Sequence, residues 1–530
     1  MLASAFVEIL NSLTEYLPYI VAGGLILHLV STYTRLRRIP GPFFASLSNI
    51  PRFYWVWSRR AHDIHIDLHR KHGKLVRFGP NMVSVGDPKE VPAIYGFSGK
   101  YKKVLSKYNF VNRNKEADQE QSKFYQVILP MSKGKILPGL FATQDEDIHR
   151  MLKKPIASIY SMSNLVSLEP FVDQTIHCFF DQLDSRFANH GRPLDFGMWL
   201  QMFAFDVIGE ITFSQRLGFL EKGEDIDNIM GDIWKYFQYV APVGQMPWID
   251  ELWVKNPWIS RMRKASWSAM GDFAVTRQNE RMNLMNNPSG EAKNLNDRDF
   301  LSRFIEAMAK DKSVPQWALL AWTQSNITAG SDTTAIMLRT IFYNLLQHPE
   351  TMAKLMDELR TAAKAGSLSA IVTWKQSRQL AYLDACIKEA GRIHPPFGLP
   401  LERVVPEGGV EICGEFLPAG TIVGMNAWVV HRDEETFGPD ADSWHPERWL
   451  GKDEAAVKKM ENSLLTFGHG HRSCIGKNIS HLEVYKLVPT LLQAYEMRLE
   501  NPASKWRVEN RWFVPQFDFN VVMKRRNQWP

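Results

Sequence analysis

The stretch that most limits what this chain can fold into is Phe467-Gly468-His469-Gly470-His471-Arg472-Ser473-Cys474-Ile475-Gly476. It sets one cysteine among glycines and bases, just before a segment that reads as helix from Ile479 to Leu492. The glycines let the backbone turn tightly and approach something flat and bulky. A thiolate at position 474 would lie at a helix N-terminus beside Arg472. Both features favour the anion, which is the form that ligates metal. No His or Cys partner stands at metal spacing, so a zinc tetrahedron cannot be completed. The sulfur can instead be the single axial ligand of a haem iron, whose porphyrin supplies the other four bonds. A structural cysteine buried in a Gly-rich turn is the plain alternative.

A second constraint lies upstream. Ser313-Val314-Pro315 signals a helix start, and Trp317 to Leu346 then runs without another proline, about 45 Å at helical rise. Its middle, Ala329-Gly330-Ser331-Asp332-Thr333-Thr334, is a poor choice for a helix centre. A local rule broken inside a strong element points to function. Small residues at Ala329 and Gly330 leave room for a flat ligand and dioxygen. Thr333 can bond back to the carbonyl one turn earlier and open a kink for water. Asp332 with Thr333 forms an acid–alcohol pair able to deliver protons. A Ser/Thr kink or a helix-packing notch is the alternative. Further on, Glu389-Ala390-Gly391-Arg392 places an acid and a base three apart on a predicted helix, Tyr382 to Arg392. Exposed, such a pair is worth only a few tenths of a kcal/mol.

These motifs together resemble the cytochrome P450 superfamily. F-x-x-G-x-R-x-C-x-G is its haem signature, A-G-x-D-T-T its central-helix motif and E-x-x-R its core lock, in the same order along the chain. The resemblance implies a mainly α fold with small β-sheets (α+β). Haem b would sit between the long helix and the Cys474 loop, with Phe467, Gly470 and Gly476 shaping its bed. It implies that Arg472, Arg403 and the pair His149/Lys153 neutralise the haem propionates. The family usually has Arg at the last of these positions; lysine gives a point charge in place of a planar fork, and Lys154 is a possible substitute. A solvated basic face is the alternative for His149 and Lys153. Glu389, Arg392 and Arg448, the last in Pro446-Glu447-Arg448-Trp449, would form a structural triad. Phe397 to Leu401 and Phe513-Val514-Pro515 would face substrate. Glu221 to Trp253 would form a lid, and Lys100 to Leu140 a basic loop above the haem. Tyr160 to Leu165, followed by Leu168-Glu169-Pro170, resembles fungal members of the pisatin demethylase group.

Tyr16 to Tyr33 is almost entirely apolar, with Glu8 and Glu15 before it and Arg35, Arg37 and Arg38 after it. A spanning helix needs about 20 such residues, and the basic flank stays in the cytosol. A cleaved signal peptide fits badly, because the basic cluster is on the wrong side. Ile39-Pro40-Gly41-Pro42 breaks any helix. The expected division is an anchor over 1–38, a proline-rich hinge over 39–45 and one catalytic domain over 46–530, single-pass in the endoplasmic reticulum membrane. Thr143 to Glu146 reads as a helix start. Lys74 to Val85 reads as strands, as do Val410-Glu411-Ile412, Phe416 to Gly420 and Thr421-Ile422-Val423, the last three completing one small sheet.

A net charge of +6, scattered, gives no footprint for nucleic acid. Four distant cysteines, Cys178, Cys386, Cys413 and Cys474, point to a reducing compartment. Asn326-Ile-Thr and Asn478-Ile-Ser are chance sequons. The expected activity is monooxygenation of an apolar small molecule with O2. Electrons would come from NADPH through the flavins of a separate cytochrome reductase, since no flavin or nicotinamide fingerprint is seen; no obligate oligomer is expected. Lys153, Lys154, His469, His471 and Lys477 would make the cysteine side basic and suit an acidic reductase domain. The rival readings are a reductase-independent haem-thiolate isomerase or dehydratase, and a non-catalytic haem-binding or gas-sensing protein.

Overall fold

The computed structural model describes residues 2–96, 122–132, 135–256, 258–259, 268–286, 298–527 and 529. Much of the basic loop expected over Lys100 to Leu140 lies outside the described residues, as does the polar stretch after Asn286.

The chain opens with a helix over Leu2–Arg35. Tyr16–Arg35 within it has a mean hydropathy of 1.3 and none of it is buried. Arg77 caps the helix from the catalytic side, donating to the carbonyls of Tyr33 (2.9 Å) and Thr32 (2.7 Å). The following prolines do not leave a loose tether. The Arg77 amide donates to the Pro40 carbonyl, and a Cβ on Gly41 would lie 2.4 Å from the Arg77 oxygen. A short helix, Phe43–Leu47, then begins inside the expected hinge.

The interior is helical, with small sheets at its edges. The central helix spans Trp317–Gln347. The helix Phe196–Phe213 lies against it. This partner is buried on nearly every face, which explains a sequence apolar all round and not in one stripe. Ala381–Ile393 and Lys477–Ala494 complete the frame around the central helix.

The main sheet has the strand order Leu75–Gly79, Met82–Val85, Ile422–Met425, Leu401–Val404. All neighbours are antiparallel except the middle pair. The single sheet expected from Val410 to Val423 is a correction. Val410–Ile412 pairs only with Glu415–Leu417, because Cys413 (φ 48°) and Gly414 (φ 79°) close a tight turn there. Gly420 (φ 77°) then redirects the chain into the main sheet. A further sheet, Tyr495–Leu499, Asn520–Arg525 and Leu194–Asp195, had no clear sequence signal.

Glu169, in the stretch that carried no derivable chemistry, starts the helix Glu169–Arg186 and accepts from the fully buried Lys486 ammonium at 2.8 Å. Both sequon asparagines are engaged around Tyr160. Asn326 accepts from its hydroxyl (2.6 Å) and Asn478 donates to its carbonyl (2.9 Å).

Candidate active site

The Cys474 loop is held by its own backbone. The Cys474 amide donates to the Phe467 carbonyl at 2.8 Å. Gly468 (φ 67°) and Gly470 (φ 69°) take the left-handed conformation that side chains resist. At Gly470 a Cβ would also lie 1.8 Å from the Tyr95 carbonyl oxygen. Gly476 is different: a Cβ there would meet only the Cys474 sulfur, at 3.9 Å. Open space therefore lies beside the sulfur. Cys474 has free surface, and that surface faces an internal cavity.

The same cavity is lined by Ala329, Gly330 and Thr333 of the central helix, and by His149, Lys153, Arg403 and Arg472. The Thr333 hydroxyl donates to the Ala329 carbonyl at 2.7 Å, as the spacing predicts. The helix is continuous through this point.

A family model for cytochrome P450 matches residues 38–522. The chain belongs to the cytochrome P450 family. It is 58% identical over 473 residues to a cytochrome P450 monooxygenase of Aspergillus terreus, covering 89% of this chain and 92% of that one. It is 52% identical to the monooxygenase cicH of Emericella nidulans, covering 93% and 94%. It is 45% identical to mpaDE of Penicillium roqueforti, covering 93% of this chain and 56% of the relative.

The family's haem fits these residues. Among the described residues no three His, Cys, Asp or Glu side chains gather to hold a metal ion, so iron at Cys474 needs a macrocycle for its remaining ligands. The open space beside Gly476, the apolar walls and the basic rim match a flat, dianionic group.

How this P450 arranges the rim differs from expectation in several respects. Arg472 does not point its charge at Cys474. Its Nε donates to Glu146 Oε1 at 2.8 Å and its Nη1 to the Thr143 carbonyl. Glu146 also lies 3.6 Å from His149 Nδ1 and 3.4 Å from His471 Nε2. It is the residue that sequence reasoning missed, since at a helix start it read only as a capping acid; the cap itself is Asp145. Burial pushes the Cys474 thiol up. The Gly476 and Lys477 amides and the Lys153 and Lys477 charges oppose that, without reversing it. The helix-start amides thus favour the anion as expected, while burial outweighs them and Lys153 and Lys477, not Arg472, supply the charge; bound iron would itself deprotonate the sulfur.

Lys153 turns inward, its Nζ 3.4 Å from the Ser473 carbonyl, whereas Lys154 is exposed. Arg403 is buried over the Tyr95 ring, 5.0 Å from its centroid, and donates to the Glu402 carbonyl at 2.8 Å. Tyr95 is a second missed residue. Its hydroxyl donates to the Leu401 carbonyl and accepts from the Met425 amide, while its own carbonyl abuts Gly470. It joins the sheet to the cysteine loop.

Asp332 and Thr333 do not pair. Adjacent residues on a helix do not face each other. Thr333 faces the cavity, while Asp332 accepts from Gln201 Nε2 on the neighbouring helix. Gln201 Oε1 in turn accepts from Arg339 Nη2 at 2.7 Å. Burial pushes the Asp332 carboxyl up to about 6, with Arg339 and Gln201 opposing. Gly330 lines the cavity, and a Cβ there would also lie 2.9 Å from Ile208 Cδ1, so its smallness serves helix packing as well.

The structure does bring together Glu389, Arg392 and Arg448. Glu389 accepts from Arg392 Nε and Nη2 (2.8 Å each) and from Arg448 Nε (3.0 Å), all essentially out of solvent.

Proposed function

We propose that this P450 inserts one oxygen atom of O2 into an apolar small molecule in fungal secondary metabolism, with electrons from NADPH through a separate reductase. The observation that carries the reading is one largely apolar cavity lined by both Cys474 and Thr333. Haem bound at Cys474 supplies the activation of dioxygen, helped by electron donation from the thiolate. The chain's own residues do the rest. Arg403, Arg472, His149 and Lys153 hold the propionates, Arg472 sharing its charge with Glu146. Thr333 places a hydroxyl proton at the cavity wall. Asp332 replenishes it after its carboxyl leaves Gln201. Glu389, Arg392 and Arg448 act on structure, not on chemistry.

The helix before Arg35 would cross the endoplasmic reticulum membrane, with the domain from residue 46 on the cytosolic side. Phe43, Phe44, Ile50, Tyr54 and Trp57, directly after that helix, are largely exposed, as are Trp248, Leu252, Trp253 and Trp258. Such surface supports a domain seated against the bilayer. Lys154 and Lys477 are exposed on the cysteine side and would meet an acidic reductase. Lys477→Glu should slow reduction of the haem more than it changes substrate affinity; an unchanged reduction rate removes that surface from the proposal.

The deciding experiment is the absorbance of the reduced protein under carbon monoxide. Sulfur-ligated ferrous haem gives a band that other ligation does not. The band should be present in the native chain and lost in Cys474→Ala. Haem uptake without it, or its persistence in the variant, refutes the reading.

A further inference from the structure

Resting on that reading, we infer that apolar substrate enters between the helices Phe124–Ile128 and Ile229–Val243, and that the buried Asp250–Lys255 ion pair is the latch on this seam.

The seam is one wall of the cavity. Tyr125 and Ile128 line the cavity from the first helix, and Tyr236 and Phe237 from the second. The wall is tightly closed. A Cβ on Gly244, which ends the second helix, would lie 2.4 Å from the Phe124 ring. Val127, Val240 and Val243 pack together, with Phe53 laid against them. Contacts of that kind have no direction, so they do not fix where a wall parts.

Directed bonds do. Tyr236 and Lys255 reach across the seam from the lid side. The Tyr236 hydroxyl donates to the Ile128 carbonyl, and Lys255 Nζ donates to the Gln126 carbonyl. Asp250, in the helix Trp248–Leu252, aims that ammonium. One of its carboxylate oxygens lies 2.6 Å from Lys255 Nζ, and the other accepts from the Tyr239 hydroxyl at 2.9 Å. The Asp250 and Lys255 side chains are only 3% and 9% exposed. A single buried carboxylate therefore ties the lid helix to the lysine that crosses the seam.

A charged pair suits a latch better than a structural lock. Closed, both ions are stripped of water; parted, both regain it. Two well-packed apolar side chains would hold the wall at least as firmly and would resist parting. The surface outside the seam is apolar as well. Trp248, Leu252 and Trp253, which flank Asp250, are largely exposed. So are Tyr54 and Trp57, on the helix Ile50–Trp57 that packs against Ile229–Val243. A molecule dissolved in the bilayer thus meets apolar surface up to the latch.

The test uses the full-length haem protein and phenylimidazole, an apolar probe that reports its arrival by ligating iron and moving the Soret band. Stopped flow gives its entry and exit rates. Asp250→Asn leaves Lys255 buried without its anion, and Lys255→Met leaves Asp250 without its cation. Each, made separately in case one misfolds, should raise both rates about ten-fold or more. Kd should change less than about two-fold, because a latch governs passage and not the bound state. Asp250→Leu combined with Lys255→Met supplies an apolar pair and should return both rates to the native values or below. Hydrogen exchange of the amides over 124–129 and 236–244 should quicken in the single variants and not in the double one. Native rates in both single variants overturn the inference, and so does a double variant as fast as the singles. The carbon monoxide band of the same preparation separates the two readings. With the band and unmoved rates, only the latch falls; without the band, the haem-thiolate reading beneath it falls.

Discussion

Glu389→Ala should cost the protein both its core and its haem. The Glu389 carboxylate accepts five hydrogen bonds: two from Arg392, one from Arg448, one from Trp449 Nε1 at 3.0 Å and one from the His445 amide at 2.9 Å. Its side chain and that of Arg392 are wholly inaccessible to water. Truncation leaves the buried Arg392 guanidinium without its anion and Arg448 with Asp440 alone, at 3.0 Å. Breaking one partner from a buried pair costs about 3–5 kcal/mol, against a total stability of about 5–15 kcal/mol for a folded domain. The damage should travel. The Arg392 carbonyl bonds to His431 Nδ1 at 3.0 Å, and His431 Nε2 accepts from the Leu465 amide at 2.7 Å. One residue on, Thr466 donates to the Gly391 carbonyl at 2.7 Å. Phe467, which receives the Cys474 amide, comes next. The assay is urea denaturation of the purified protein, with haem content and the carbon monoxide spectrum on the same samples. Glu389→Ala should unfold at least about 3 kcal/mol more easily and lose the sulfur-ligated band at urea concentrations where the native chain keeps it. Glu389→Gln, which keeps the shape and two lone pairs, should fall between. A Glu389→Ala protein with native stability and a native spectrum would refute the view that this carboxylate holds the cysteine loop in place.

Gly470→Ala should abolish haem incorporation, because its Cβ would fall 1.8 Å from the Tyr95 oxygen at a φ of 69°; full haem occupancy in the variant would contradict the close approach. Thr333→Ala should leave haem content unchanged while product formed per NADPH consumed drops about ten-fold or more; unchanged coupling would remove Thr333 from proton delivery. Stability should fall as pH drops below about 6.5. Burial lowers His62, His394 and His431 to about 3, His69 to about 4, and His65 well below its ordinary value. The unfolded chain takes up these protons near 6.5 and the folded chain does not, so at pH 5 each histidine costs about 2 kcal/mol. Asp206 and Asp332, both raised to about 6 by burial, and Glu483, raised further, act in the opposite sense, each giving back about 1–2 kcal/mol over that range. The balance is a net loss, and a urea midpoint equal at pH 5 and pH 7 would contradict it.

Much of the site was legible because its chemistry is local. A glycine that must adopt positive φ, a cysteine before a helix and a small-residue break inside a long helix are each properties of a few adjacent residues. So are the helix Trp317–Gln347 and the Asp145 region that starts the helix carrying His149, both read to within a residue or two. What needed the folded chain was where charges point and what small residues make room for. Asp332 reads as Thr333's partner because they are neighbours in sequence, yet successive helical residues diverge, and Gln201, 131 positions away, takes the carboxylate. Arg472 reads as the sulfur's cation, yet Glu146, 326 positions away, takes its guanidinium. Gly330 reads as space for a ligand, and only the fold shows that a side chain there would also meet Ile208. The sheet that pairs Leu194–Asp195 with strands at the far end of the chain left no periodic trace, since a two-residue strand has none. Sequence alone determined which groups are present, where the backbone must bend and which elements form. Only tertiary structure decided their partners, because a side chain's direction is set by the energy of desolvating it, and that depends on whatever distant segment packs beside it.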